Sequence, residues 1–245
     1  MSRKPNAVLS IAGSDSSSGA GIQADIKTFQ DFNEHGVCCI SAITCQNPDK
    51  IISILDIPLN IIRDQLNVLF DYYDIQYVKT GMLYSKQIVE YILKLLLIKN
   101  FKLVIDPIFK ASSGKELMIS DAKEFLIKEL LPKAFLITPN IPEAEEILGS
   151  KISDYAAQKD AAMRIKKLGS YAVLLKGGHL KEDPLKDILV YENEIHEFQK
   201  KRKNISVHGS GCMLSAAIIA NLNKGLSLLD SINMAEKYID KKFVK

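Results

Sequence analysis

The feature that most constrains this chain is an alternation. Short apolar runs rich in Val and Ile are separated by longer stretches whose apolar residues recur at helical spacing. Candidate strands fall at 7–12, 37–45, 75–79, 103–106, 135–138 and 172–176, and candidate helices at 21–32, 59–73, 86–99, 121–131, 141–148 and 155–168. Most of the strands are hydrophobic throughout, as strands covered on both faces must be. The expected fold is therefore a three-layer α/β/α sandwich around a mostly parallel central sheet. Near 187–200 the pattern changes to two alternating runs about Glu192-Asn193-Glu194, which predicts a β-hairpin. Helices at 211–222 and 228–242 finish the chain, the second with Ser227 and Asp230 spaced as a capping box. With no repeat or Pro/Gly-rich linker, residues 1–245 are expected to form one domain.

Charge narrows the partners. Lys and Arg number 32 against 29 for Asp and Glu, a net +3 that argues against nucleic acid. The longest apolar stretch, 91–98, is interrupted by Lys94 and far too short for a membrane span. Cys38, Cys39, Cys45 and Cys212 form no C-x-x-C pair, so a structural zinc site is not expected, and a reduced, cytoplasmic setting is.

In such sheets ligands bind beyond the carboxyl ends of the strands. Polar and glycine residues follow nearly every candidate strand: Gly13-Ser14-Asp15, Gln46-Asn47, Lys79-Thr80-Gly81-Met82, Asp106-Pro107, Thr138-Pro139-Asn140 and Lys176-Gly177-Gly178. Any one of these is an ordinary turn; their recurrence points to a site. The loop after Gly13 contains Gly19-Ala20-Gly21-Ile22-Gln23-Ala24, a match to the dinucleotide fingerprint. A dinucleotide-binding oxidoreductase is nevertheless disfavoured, because the glycines stand several residues past the strand and the next strand ends in Gln46, not an acid. The loop is expected to be a flexible, polar lid, with Asp25 near the first turn of the following helix.

The sharpest segment is Val207-His208-Gly209-Ser210-Gly211-Cys212, which runs into an apolar helix. Its glycines allow close backbone approach, and first-turn amides make an anion hole. At that position the Cys212 thiol is expected to ionise below its ordinary pKa. Asn140 and Glu143, three apart, suit a hydrated Mg²⁺, while the same pair is also a frequent helix start. Lys176 at a strand end faces an anion, and Asp106 offers a further metal or turn-capping carboxylate.

This ordered set of motifs, with Ile105-Asp-Pro107, Leu175-Lys-Gly-Gly-His179 and His208-Gly-Ser-Gly-Cys212 among them, resembles the ribokinase-like small-molecule kinases. Within them it is similar to the hydroxymethylpyrimidine/phosphomethylpyrimidine kinases of thiamine biosynthesis. The resemblance implies transfer of the γ-phosphoryl group of Mg-ATP to the hydroxymethyl group of 4-amino-5-hydroxymethyl-2-methylpyrimidine, followed by phosphorylation of the monophosphate. It assigns Gly13, Ala20, Asp25, Gln46 and Met82 to the pyrimidine, Cys212 to the base with Gly209, Ser210 and Gly211 as the anion hole, and Lys176, Asn140, Ser210 and Gly211 to ATP. Glu143, Asn140 and Asp106 fall to Mg²⁺. A homodimer acting on small molecules is implied as well. Ser16, Ser18 and Ser210 depart from the usual Pro, Gly and Thr, and Asn47-Pro48 and Phe109-Lys110 also differ. Two alternatives remain: a pyridoxal kinase of the same fold, and a module that binds the pyrimidine without phosphorylating it.

Overall fold

The structure, a computed structural model, describes residues 4–111, 113–192, 194–202 and 209–242. In chain order its elements are β1 (Asn6–Asp15), α1 (Gly21–Asp31), β2 (Gly36–Gln46), β3 (Ile51–Asp56), α2 (Leu59–Tyr72), β4 (Asp74–Thr80), α3 (Lys86–Ile98) and β5 (Lys102–Ile105). There follow α4 (Ser120–Phe125), β6 (Leu136–Ile137), α5 (Ile141–Leu148), α6 (Tyr155–Lys166), β7 (Ala172–Leu175), β8 (Leu185–Tyr191), β9 (Glu194–Lys200), α7 (Ser210–Asn223) and α8 (Leu228–Lys242). The nine strands form one sheet in the order β3-β2-β1-β4-β5-β6-β7-β8-β9. The run from β2 to β7 is parallel; β3, β8 and β9 add antiparallel edges.

Alternate strand residues feed two cores. Leu9, Ile11, Ile105 and Val173 pack with Ile62, Ile92, Ala144 and Ile165 of α2, α3, α5 and α6 on one face. Val8, Val104, Leu136 and Leu174 pack with Phe29, Ile219 and Ile232 of α1, α7 and α8 on the other. This is the expected three-layer fold. Helix α7 is buried from Leu214 to Leu222, packed against α1, α8 and the sheet, which explains why its apolar residues show no single stripe.

Two features depart from the sequence reading. Strand β3 was not anticipated: Ile52 and Leu55 are exposed, so the segment has neither a buried run nor a clean alternation. The helix expected over 121–131 is α4 followed by a π turn at Leu126–Leu130 and a 3₁₀ turn at Leu131–Lys133. Pro132 in that last turn cannot donate a backbone hydrogen bond, so a regular helix stops there. None of the described helices is long and apolar enough to cross a membrane.

The fold places the site through its topology. From β1 the chain winds one way through β2 and the other through β4, and a crevice opens beyond the carboxyl ends at such a switch point.

Candidate active site

Strand β1 delivers Gly13, Ser14 and Asp15 to the crevice. The Asp15 carboxylate accepts hydrogen bonds from Ser17 N (2.8 Å) and Oγ (2.7 Å), Gly19 N (3.0 Å) and Ala20 N (2.8 Å). Burial works to raise its pKa, but these donors outweigh it and hold the carboxyl below its usual range. The loop is thus a tied turn and not the flexible lid expected, because one carboxylate collects its donors.

At the N-terminus of α7, Gly209 has φ +80°, and a Cβ there would fall 2.0 Å from the carbonyl oxygen of Gly19. At Gly211 a Cβ would stand 3.1 Å from Lys176 Nζ and 3.8 Å from Asp106 Oδ2. Glycine at both positions lets the helix start come down onto the loop and the charged pair. No side chain caps this helix among the described residues, and Met213 N is the donor that bonds back to Gly209 O, at 3.0 Å. The first-turn amides before it point out of the helix end, the arrangement that receives an anion. Val207 and His208 lie outside the described residues.

Cys212 is buried and lines the crevice, and its sulfur accepts a hydrogen bond from the Gly21 backbone N–H. The thiol is pushed up to about 12, contrary to expectation. Burial is the main cause; Lys79 and the Gly21 N–H pull it down, while Asp106 and Asp25 push it further up. Desolvation therefore exceeds the help that a helix N-terminus gives a thiolate.

Asp25 is also placed differently from expectation. It is fully buried and absent from the cavity wall, its carboxylate 2.7 and 2.9 Å from Lys79 Nζ and accepting from Ser10 Oγ at 2.6 Å. Lys79 is fully buried too, and although burial disfavours its charge, Asp25 holds its pKa above the ordinary value. A buried carboxylate needs such a partner, and Asp25 pairs with the cation below the site instead of standing on the cavity wall.

A second ion pair stands across the crevice. Lys176 Nζ lies 3.0 Å from Asp106 Oδ1, which also accepts from Thr138 Oγ1 at 3.2 Å. Backbone pairing of Lys176 N with Pro139 O at 2.8 Å sets Lys176 beside Asn140. Burial works against the Lys176 charge, but Asp106 and Glu143 keep its pKa raised.

Asn140 and Glu143 form a reciprocal capping box: Asn140 Oδ1 accepts from Glu143 N at 2.9 Å and Glu143 Oε2 from Asn140 N at 2.7 Å. Burial pushes Glu143 up to about 7, with Lys176 pulling the other way. Asn140 and Glu143 are thus placed as the helix start that their spacing also allowed. Among the described residues no three His, Cys, Asp or Glu side chains gather as a metal cage. Glu143 and Asp106 both line the crevice, each with a second carboxylate oxygen beyond these bonds. That sparse, hard donor set fits Mg²⁺, which takes one or two carboxylates and keeps water and phosphate oxygens for the rest.

Three cavities meet at this place, and two of them share Lys176. The first, about 160 Å³, is walled by Gly13, Ala20, Gln46, Met82 and Cys212, and is sized for one ring against the roughly 300–1,000 Å³ of sites for drug-sized ligands. The second lies along α7 and the hairpin, past Ser210, His179 and Asp187. Asn140, Lys176 and Gly211 border both. Of the residues expected at the site, the crevice thus gathers all but Asp25, with Ser210 on the side of the second cavity.

The phosphomethylpyrimidine kinase family model matches residues 15–245. The chain belongs to this family. It is 40% identical over 234 residues to a hydroxymethylpyrimidine/phosphomethylpyrimidine kinase of Aquifex aeolicus, covering 94% of this chain and 91% of that one. The crystal structure of a phosphomethylpyrimidine kinase from Clostridium difficile superposes with a TM-score of 0.87 at 40% identity, covering 98% of this chain and all of the other. A pyridoxal kinase from Staphylococcus aureus in complex with ADP superposes with a TM-score of 0.88 at 31% identity, covering 96% and 87%. The fold is thus ribokinase-like, and the chain is a phosphotransferase with the family's place in thiamine biosynthesis.

Sequence reasoning gave no role to Asp15 or Lys79, although both stood in strand-end motifs. A Lys closing a buried strand was the available signal for Lys79, since a fully buried cation demands a carboxylate nearby.

Proposed function

We propose that the first cavity holds the hydroxymethylpyrimidine and the second holds ATP, with transfer where they meet. The observation that carries this reading is that Lys176 and the uncapped end of α7 lie between the cavities, with Cys212 on the ring side. Gln46 has an amide that can both donate to a ring nitrogen and accept from an amino group. Gly13, Ala20 and Met82 form the walls around the ring.

The hydroxymethyl oxygen attacks the γ-phosphorus, the bond from that phosphorus to the bridging oxygen breaks, and ADP leaves. Lys176 and the amides of Gly209 to Cys212 take up negative charge on the transferring group. The hydroxyl proton passes to the thiolate form of Cys212, the minor form at neutral pH in this buried position, as the new P–O bond forms. Mg²⁺ supplies further positive charge to the phosphates, and Glu143 and Asp106 are the residues that would hold it. Asn140 keeps its amide nitrogen for a phosphate oxygen. In a second round the monophosphate offers a phosphate oxygen in place of the hydroxyl.

Replacing Cys212 with Ala should lower kcat by about 10²–10⁴ with the KM for ATP unchanged. A near-wild-type rate would refute the base role and leave the anion hole alone.

We also infer that residues 1–245 work as one catalytic domain and that two copies associate. Ile52 and Leu55 on the edge strand and Val68 and Tyr72 on α2 are exposed apolar side chains, which supports self-association. Light scattering should then give twice the 27.3 kDa chain mass; a monomer at micromolar concentration would exclude it.

A further inference from the structure

The parallel ladder between β1 and β2 pairs Ser14 with Ile43 and Asp15 with Thr44, and there β1 ends. The Asp15 carbonyl turns away to accept from Ser18 N at 3.0 Å, so the chain leaves the sheet two residues before β2 reaches Gln46. The Ser16 side chain occupies the place a further β1 residue would have taken. Its hydroxyl donates to Gln46 O at 2.7 Å and accepts from Gln46 N at 3.0 Å, both halves of a ladder pairing made by one oxygen. Thr44 Oγ1, donating to Ser14 O at 2.9 Å, stitches the same seam one step earlier.

The Gln46 side chain shares the cavity wall with Asp15, and its amide helps to hold that carboxyl below its usual range, as only its N–H end can. A carboxylate accepts and does not donate, so this fixes which end of the amide is which. One N–H turns to Asp15. The carbonyl oxygen and the other N–H are left for a ligand in the cavity that Asp15 and Gln46 both line.

We propose that Asp15 and Ser16 act as a clasp that orients the Gln46 amide, making them positioning residues for a ring edge with an amino group beside a ring nitrogen. The amide oxygen accepts from the amino group and the remaining N–H donates to the nitrogen. A pyridine ring without that amino group leaves the carbonyl unpaired, so the clasp favours the aminopyrimidine over pyridoxal. This rests on the reading that Gln46 contacts the ring.

The test is steady-state kinetics on wild type, Ser16→Ala, Ser16→Thr, Gln46→Ala and the Ser16→Ala/Gln46→Ala double variant, with the hydroxymethylpyrimidine, pyridoxal and ATP. Ser16 is exposed, and Ser16→Ala should melt within a few degrees of wild type. Its KM for the pyrimidine should rise about threefold to tenfold, the worth of one or two net hydrogen bonds. Its kcat and KM for ATP should stay within about twofold, and its preference for the pyrimidine over pyridoxal should narrow. Ser16→Thr, which keeps the hydroxyl, should restore the KM, and Ser16→Ala should add nothing in the Gln46→Ala background. An unchanged KM in Ser16→Ala with a raised KM in Gln46→Ala overturns the clasp and leaves the ring contact standing. An unchanged KM in Gln46→Ala overturns the ring contact, and the clasp with it.

Discussion

Cys212 stands in the first turn of α7 with its thiol buried against the crevice. The Gly-x-Gly-Cys segment pointed to the first turn of a helix, where a thiolate is favoured, and the residue is there. What a local segment does not contain is the burial imposed by the rest of the fold and the repulsion of Asp106 and Asp25, distant in sequence, which push the thiol up to about 12. The consequence is a sign that can be measured. Below such a pKa the thiolate fraction grows about tenfold per pH unit, and kcat/KM reports groups in the free enzyme. The rate of the wild type should therefore climb between pH 7 and 9, and the residual rate of the Cys212→Ala variant should not share that climb. A wild-type profile that is flat over this range would contradict the base role. Asp25 carries the same lesson. Its helix position was legible, but its fully buried partner Lys79 stands 54 residues away.

At the scale of elements, α1 and β4 are joined beneath the crevice by the Asp25–Lys79 pair. Removing one partner should leave a buried, uncompensated charge, at a cost of about 3–5 kcal/mol. Lys79→Met should therefore lower the urea midpoint strongly, and Lys79→Met/Asp25→Asn should recover most of the loss because both charges go together. A double variant as unstable as the single one would show that the pair is not the source of the effect. Elements with a strong local signal were readable: the capping box that starts α5, the hydrophobic β7, and the hairpin of β8 and β9. Ser227 and Asp230 do meet at the start of α8, with Ser227 Oγ accepting from Asp230 N at 3.1 Å and donating to Asp230 Oδ2 at 2.6 Å. Strand β3 was not readable. It forms as an antiparallel addition to the end of β2, a long-range pairing for which its own half-exposed residues give little sign. That strand pairs with β2 as far as Gln46, so the part of the fold hardest to foresee also frames the cavity that Gln46 lines.

For the whole molecule, the sheet order turns distant segments into one crevice. The loop after β1, the start of α5, the end of β7 and the start of α7 span residues 13–212 and converge where two cavities share Lys176 and Gly211. The modest net charge of +3 gave no hint of this, because the positive groups are local, Lys176 and one helix end among them. The central claim is that this shared border passes a phosphoryl group from ATP in one cavity to the pyrimidine in the other. Incubating the purified chain with 4-amino-5-hydroxymethyl-2-methylpyrimidine and Mg-ATP, and counting phosphates on the product by mass spectrometry, tests it directly. ADP release is expected, with the monophosphate appearing first and the diphosphate after it. Pyrimidine recovered without phosphate, with pyridoxal phosphorylated under the same conditions, would contradict it.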